Sequence, residues 1–260
     1  MFFEIMFLIG SAVNNQFGFQ TPITPVMDMI INFHNYVMVY IVLIMILVSY
    51  ILISIILNFT SYKRLISHKY LIHGTELEII WTLIPGFILI AIGLPSFQLL
   101  YLMDEVVDPG LTVKIIGSQW YWSYNIEDYY PSQINFSAYM VLESDLNLGD
   151  FRLLEVDNKL VIPIDTNVRV IVTATDVLHC WAVPSLGLKI DAVPGRLNQT
   201  SFIALIEGKF YGQCSEICGA NHAFMPICVQ VISLLDYILW VKSQIWELFN
   251  NIKFFLDEFW

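Results

Sequence analysis

A chain of 260 residues with 57% hydrophobic and only 13% charged residues falls well below the charge content of soluble domains, about 25%, and reads as a membrane protein. Its net charge of −11 argues against the basic surface that nucleic acid requires. Four cysteines are too few for a disulfide scaffold.

Residues 1–28 form an N-terminal segment expected on the outer side of the membrane. Its start, "MFFEIMFLIGSAV", is apolar but short, and Glu4 stands where a secretory signal carries basic residues. A short cleaved leader and a retained tail near the membrane both fit, and retention is favoured. Residues 29–103 read as a two-helix transmembrane hairpin. Residues 29–62, 34 in a row, and 79–103, 25 in a row, contain no Asp, Glu, Lys or Arg. A helix rises about 1.5 Å per residue, so either run crosses a hydrocarbon core of about 30 Å. Pro85 and Pro95 lie inside the second run and are expected to kink it, which neighbouring helices accommodate. Between the runs stand Lys63, Arg64 and Lys69, three of the twelve basic residues. Such a loop stays on the inner side, which places both chain ends outside.

Residues 104–232 read as one extramembrane domain. Short runs rich in Val, Ile and aromatics ("LTVKIIG", "QWYWSYNI", "FRLLEV", "KLVIPID", "NVRVIVTA", "GLKIDAV", "TSFIALI", "PICVQVI") alternate with turn signals such as "DPG", "LGD" and "VPG". This pattern predicts a small antiparallel sandwich or barrel. In "SQWYWSY" strand alternation sets Trp120 and Trp122 on one face and Tyr121 on the other. From residue 233 to 260 the pattern turns helical. Asp236, Ser243, Glu247, Asn250 and Asp257 fall roughly on one face, and Trp240, Trp246, Phe249 and Trp260 elsewhere. Such an amphipathic helix packs on a partner or on the membrane surface.

The chemistry concentrates in "YGQCSEICGANHAFMP", residues 211–226. Cys214, Cys218, His222 and Met225 follow one another at intervals of four, four and three, and His179 in "TDVLHCWAVPS" lies 35 residues before Cys214. Soft thiolate and thioether donors with imidazoles suit copper. Two thiolates are more than one copper needs, and suit two coppers that share both sulfurs. Zinc leaves Met225 without a role. A Cys214–Cys218 disulfide leaves the His and Met spacing unexplained. Cys180 and Cys228 read as structural thiols, with Cys180 pointing away from its neighbour His179 by alternation.

The segments "TELEIIWTLIPGFILIAIGLPSFQLLYLMDE", "GSQWYWSY", "LLEVDN", "TDVLHCWAVPSLGLKIDAVPGRLNQT" and "GQCSEICGANHAFMPI" resemble cytochrome c oxidase subunit 2, and the likeness covers nearly the whole chain. It implies a membrane-anchored all-β protein, with a cupredoxin-like barrel after the two-helix hairpin and a C-terminal helix. It also implies the dinuclear copper centre CuA, held by His179, Cys214, Cys218, His222, Met225 and the backbone carbonyl of Glu216. His179 and Met225 would complete one copper, and His222 and the Glu216 carbonyl the other. By the same resemblance the Glu216 side chain reaches a magnesium ion shared with subunit 1. On this resemblance Trp120 would take the electron from cytochrome c. Trp120, Tyr121, Asp157 and Asp176 would belong to the docking face, with Glu127 and Asp128 as nearby candidates. The resemblance also implies that Glu78 stands at the mouth of a proton pathway into subunit 1.

The domain would then be an electron relay and not the oxygen-reducing catalyst. Its place would be the mitochondrial inner membrane, with the copper domain in the intermembrane space, or a bacterial plasma membrane with that domain in the periplasm. From residue 104 onward the chain carries 9 basic and 19 acidic residues, a balance that suits steering of a basic partner. Rival readings fail on particular residues. A quinol-oxidase subunit lacks the copper ligands, a nitrous oxide reductase lacks the hairpin, and a single-copper carrier lacks the second thiol. An assembly module does not need the Trp120 cluster. Cys180 and Ala223 depart from the residues usual in the family, and neither is a ligand position.

Overall fold

A computed structural model describes residues 10–59, 70, 72–105, 108–129 and 133–259, with side chains as far as residue 246. Lys63, Arg64 and Lys69, on which the expected orientation rests, and the apolar start at 1–9 lie outside the described residues. Met29–Leu102 form one compact unit, and the chain on either side of it forms the other.

The first unit is built from α1 (Pro25–Asn58) and α2 (Thr75–Asp104). With 34 and 30 residues they are about 50 and 45 Å long. Their most apolar windows have mean hydropathies of 3.0 and 2.2 and are unburied by the protein itself. Side chains of that kind need lipid or a partner around them. Acidic residues stand in each first turn, Asp28 in α1 and Glu76 and Glu78 in α2, where the helix dipole favours them. Helix α2 runs unbroken through Pro85 and Pro95. Pro95 has no N–H to give the carbonyl of Ala91, four residues back. Tyr36 Oη from α1 donates to that carbonyl at 3.1 Å and shares a 2.8 Å bond with Tyr40 Oη. A proline in one helix thus creates the acceptor that ties it to the other.

The second unit holds ten strands among the described residues: β1 (Leu111–Ser118), β2 (Tyr121–Ile126), β3 (Ile134–Ala138), β4 (Leu160–Pro163), β5 (Asn167–Ala174), β6 (His179–Val183), β7 (Leu188–Ala192), β8 (Asn198–Ile203), β9 (Gly208–Gln213) and β10 (Pro226–Ile232). They pair as β3-β2-β1-β5-β8, β4-β10-β9 and β6-β7. Alternation is clean where one face meets the core. Val168, Val170 and Val172 of β5 point inward between half-exposed neighbours, as do Trp122, Tyr124 and Ile126 of β2. The expected purely antiparallel pattern does not hold, because β1 runs parallel to β5 and β4 parallel to β10.

Seven of the eight expected runs are strands, and the exception is residues 151–156. There Leu153 has φ +66°, and the Leu154 and Glu155 N–H groups both turn back to the Phe151 carbonyl. The turn delivers the Glu155 carboxylate into the interior, where Tyr211 Oη donates at 2.8 Å and Lys159 Nζ sits at 2.9 Å. Strands β3, β6 and β9 are not among the eight expected runs, although alternation is expected of His179 and Cys180 at the start of β6. All five residues of β6 are buried, so it has no alternation. Strand β9 carries Gly208 and Gly212, which lowers its strand propensity. Gly212 is needed there, because a Cβ would stand 2.0 Å from the Ala182 carbonyl oxygen.

Residues 10–24 lie along this domain. Tyr211 N–H donates to the Gly10 carbonyl at 3.1 Å, Ile23 N–H to Ser185 at 3.1 Å, and Leu205 N–H to Ile23 at 2.8 Å. Helix α3 (Leu234–Phe259) begins at Ser233, whose Oγ accepts from Asp236 N–H at 3.2 Å, a serine cap. Its first turns pack on the chain's own barrel, with Tyr237 and Val241 buried and Trp240 against the core. A foreign partner or membrane surface was expected to cover that face. Trp246 remains exposed.

Candidate metal centre

The loop between β9 and β10 carries Cys214, Cys218, His222 and Met225, and β6 opens with His179. The structure brings all five together. Donor atoms of His179, Cys214 and Cys218 lie within 4.8 Å of one another. Cys214 Sγ is 3.9 Å from His179 Nδ1 and 3.3 Å from the Glu216 carbonyl oxygen. Cys218 Sγ is 3.5 Å from His222 Nδ1 and 3.6 Å from Met225 Sδ. His179 is fully buried and Cys214, Cys218 and Met225 nearly so, while the Glu216 residue faces solvent. Its carbonyl therefore turns to the sulfur and its side chain away from it.

Several local features set this geometry. Ser215 N–H donates to the Cys180 carbonyl at 3.0 Å and binds the loop to β6. Trp122 Nε1 donates to the Met225 carbonyl at 3.2 Å. Gly117 leaves room for the imidazole, since a Cβ there would lie 3.0 Å from His179 Cδ2. Asp176 Oδ1 bonds His179 Nε2 at 2.9 Å, which leaves Nδ1 as the free donor, the usual device for orienting a ligating histidine.

The electrostatics fit a cationic occupant. Burial works to raise the Cys214 thiol, but His179, backbone groups of Cys180 and Glu216, and His222 outweigh it and hold the thiol at about 7. Burial and the neighbouring Cys214 push Cys218 up to about 12. Burial opposes the His179 imidazolium, yet its bonds with Cys214 and Asp176 raise it. Two buried sulfurs side by side cannot both ionise without positive charge between them, and a bound metal supplies it. Cys180 and Cys228 stand apart in chemistry. Burial drives both thiols up to about 12, with the Asp191 carboxylate adding to the first and Glu155 to the second. Cys180 pairs with Asp191 across β6 and β7, and His179 with Ala192.

Trp120 is not in a strand. It lies in the turn between β1 and β2, so strand alternation does not pair it with Trp122. Its ring packs on the metal loop, where a Cβ on Gly219 would meet Trp120 Cζ2 at 3.2 Å. Trp122 is instead a core residue. Tyr121 stacks on Tyr139 with centroids 4.8 Å apart, and Tyr139 N–H donates to Asp157 Oδ1 at 2.8 Å. Trp120, Tyr121, Asp157 and Asp176 thus share one end of the domain. Glu127 and Asp128 do not. Asp128 accepts from Thr112 N–H at the far end of the β1–β2 hairpin, about 20 Å along the strand. Glu78 lies exposed in the first turn of α2.

Comparison with known proteins agrees with this geometry. The family described as "Cytochrome C oxidase subunit II, periplasmic domain" matches residues 111–232, and the one described as "Cytochrome C oxidase subunit II, transmembrane domain" matches residues 12–99.

The chain belongs to the cytochrome c oxidase subunit II family.

Cytochrome c oxidase subunit 2 of Phytophthora megasperma is 51% identical over 95% of this chain and 98% of its own length. That of Metridium senile is 56% identical over 88% of this chain and 90% of its own. The crystal structure of the periplasmic domain of subunit II of Bradyrhizobium japonicum cytochrome oxidase is 45% identical, with a TM-score of 0.50, over 55% of this chain and 99% of that one. Membership makes the chain a subunit of the haem–copper oxidase complex, with two membrane-spanning helices and a copper centre. The His179, Cys214 and Cys218 cluster is its candidate seat. Sequence reasoning missed Gly117, Gln119 and the ligand-holding role of Asp176. The interval of three from Asp176 to His179 was the one available signal.

Proposed function

We propose that this chain receives the oxidase's electrons. It takes them from cytochrome c at a dinuclear copper centre and hands them to the haem of subunit 1, where oxygen is reduced to water with proton pumping. The observation that carries this reading is the donor set. Two sulfurs, two imidazole Nδ1 atoms, a thioether and the Glu216 carbonyl converge within a few ångströms. Two coppers held there by His179, Cys214, Cys218, His222, Met225 and the Glu216 carbonyl would supply one shared redox equivalent. The chain's own residues do the rest. Residues 104–232 exclude water around the sulfurs and fix each donor. Trp120 covers the loop, and Asp157, Asp176 and the domain's acidic excess draw in a basic protein, an attraction that salt screens. Residues 29–103 anchor the domain. The eukaryotic relatives favour the mitochondrial inner membrane, with the domain in the intermembrane space. In the assembled oxidase, rapid mixing with reduced cytochrome c should reduce the copper centre before any haem. Haem reduction that precedes copper reduction would count against the reading.

Glu216 takes two roles in this reading. Its carbonyl serves copper, and its exposed carboxylate serves a magnesium ion shared with subunit 1, a hard cation that prefers charged oxygen. Glu216→Gln keeps the carbonyl and removes the charge. Metal analysis of the assembled variant should show copper retained and magnesium lost. Copper lost with magnesium retained would reverse the assignment. Glu78 remains the candidate for a proton-pathway mouth on the inner side, as a carboxylate at the start of a membrane helix.

A further inference from the structure

Two segments far apart in sequence supply the donors, the β6 start with His179 and the loop with Cys218. Both are gripped by one residue that is not a donor. Gln119, in the turn between β1 and β2, gives its backbone N–H to Asp176 Oδ2 at 2.7 Å. The other oxygen of Asp176 bonds His179 Nε2 at 2.9 Å. The Gln119 side chain reaches the opposite way, and its Nε2 donates to the Cys218 carbonyl at 2.7 Å.

We propose that Gln119 is a positioning residue that locks the two ligand-bearing segments into one frame around the metal pair. The inference rests on the dinuclear copper reading given above. Through Asp176 the backbone of Gln119 holds His179 with Nδ1 turned to Cys214. Through Cys218 the side chain holds the second sulfur opposite His222 Nδ1 and Met225 Sδ. Gly219 makes the reach available. Its φ is +118°, and a Cβ there would stand 3.1 Å from Gln119 Nε2. The neighbouring Trp120 ring rests on the same glycine, so this frame also sets the tryptophan's distance to the sulfurs. A relay needs ligands that barely move between oxidation states, and hydrogen bonds that hold the ligands from outside provide that.

Gln119→Leu keeps the volume and removes the donor. Gln119→Glu keeps the shape and turns the donor into an acceptor. Both leave the backbone bond to Asp176 in place, so they report on the side chain alone. The experiment uses the full-length chain in detergent, loaded with copper. It reads copper content, the rate of copper loss to a chelator, and the copper hyperfine pattern in the electron spin spectrum. Both variants should bind two coppers and lose them about fivefold faster, the effect of one hydrogen bond. The hyperfine pattern should become unequal between the metals as Cys218 shifts. Wild-type loss rates and spectra in both variants would overturn the proposal. Wild-type chain binding any number other than two would instead overturn the reading beneath it. If the leucine variant does not fold, the glutamate variant decides by the same readouts.

Discussion

Cys218→Ser is expected to destroy the proposed copper centre and cut electron uptake by far more than the 10–100-fold, approximately, that loss of an outer partner costs a metal site. The reason is geometric. Cys218 Sγ lies between His222 Nδ1 and Met225 Sδ, at 3.5 and 3.6 Å, and beside Cys214 and His179. A serine oxygen is a hard donor with little affinity for copper in a soft site. It does not replace the soft sulfur donor that the site would lose. Cys228→Ala is the matching control. That thiol is also buried, but it sits within β10 against Glu155 and away from the donors. Copper analysis should show the centre lost in the first variant and intact in the second. Equal copper content in Cys218→Ser and the unsubstituted chain would remove Cys218 from the ligand set.

Trp120→Ala is expected to slow reduction by cytochrome c about a hundredfold, the scale of an ångström-sized loss of positioning, with copper content unchanged. Trp120 has no donor role, since its ring lies on Gly219 and its Nε1 is buried without a partner among the described residues. Removal of the ring opens a gap beside Gly219 in the Cys218 loop. Trp120→Phe should fall between the two, because it keeps part of the aromatic surface. Stopped-flow reduction of the assembled oxidase checks this. An unchanged rate in Trp120→Ala would make the residue a packing element only.

The parts of the fold legible in the sequence were those governed by one strong local rule. An uncharged run of 34 residues specifies a span by length alone, and valines at every second position of β5 specify a half-buried strand. The parts that escaped depend on distant partners. Strand β6 is buried on both faces and so shows no period. The 151–156 run has strand composition, yet its Glu155 is drawn inward by Tyr211 and Lys159. The parallel pairing of β1 with β5 leaves no trace in either strand's own residues. At the site, spacing was enough to nominate four donors from one loop, because a loop must bring its own residues close. The residues that hold the donors were not legible. Gln119, Gly117 and Trp122 all come from the β1–β2 hairpin: Gln119 and Trp122 meet the loop, and Gly117 meets His179, only in three dimensions. Trp120 was read as a strand residue, and the turn that frees it from the sheet is what lays it on Gly219.

On the proposed function, Cys214 and Cys218 hold two coppers in this chain. The most direct measurement is a copper count combined with an electron spin spectrum on the fully loaded, full-length protein. Two coppers per chain and one unpaired electron split equally by both nuclei are expected. One copper per chain, or zinc in its place, would contradict that function.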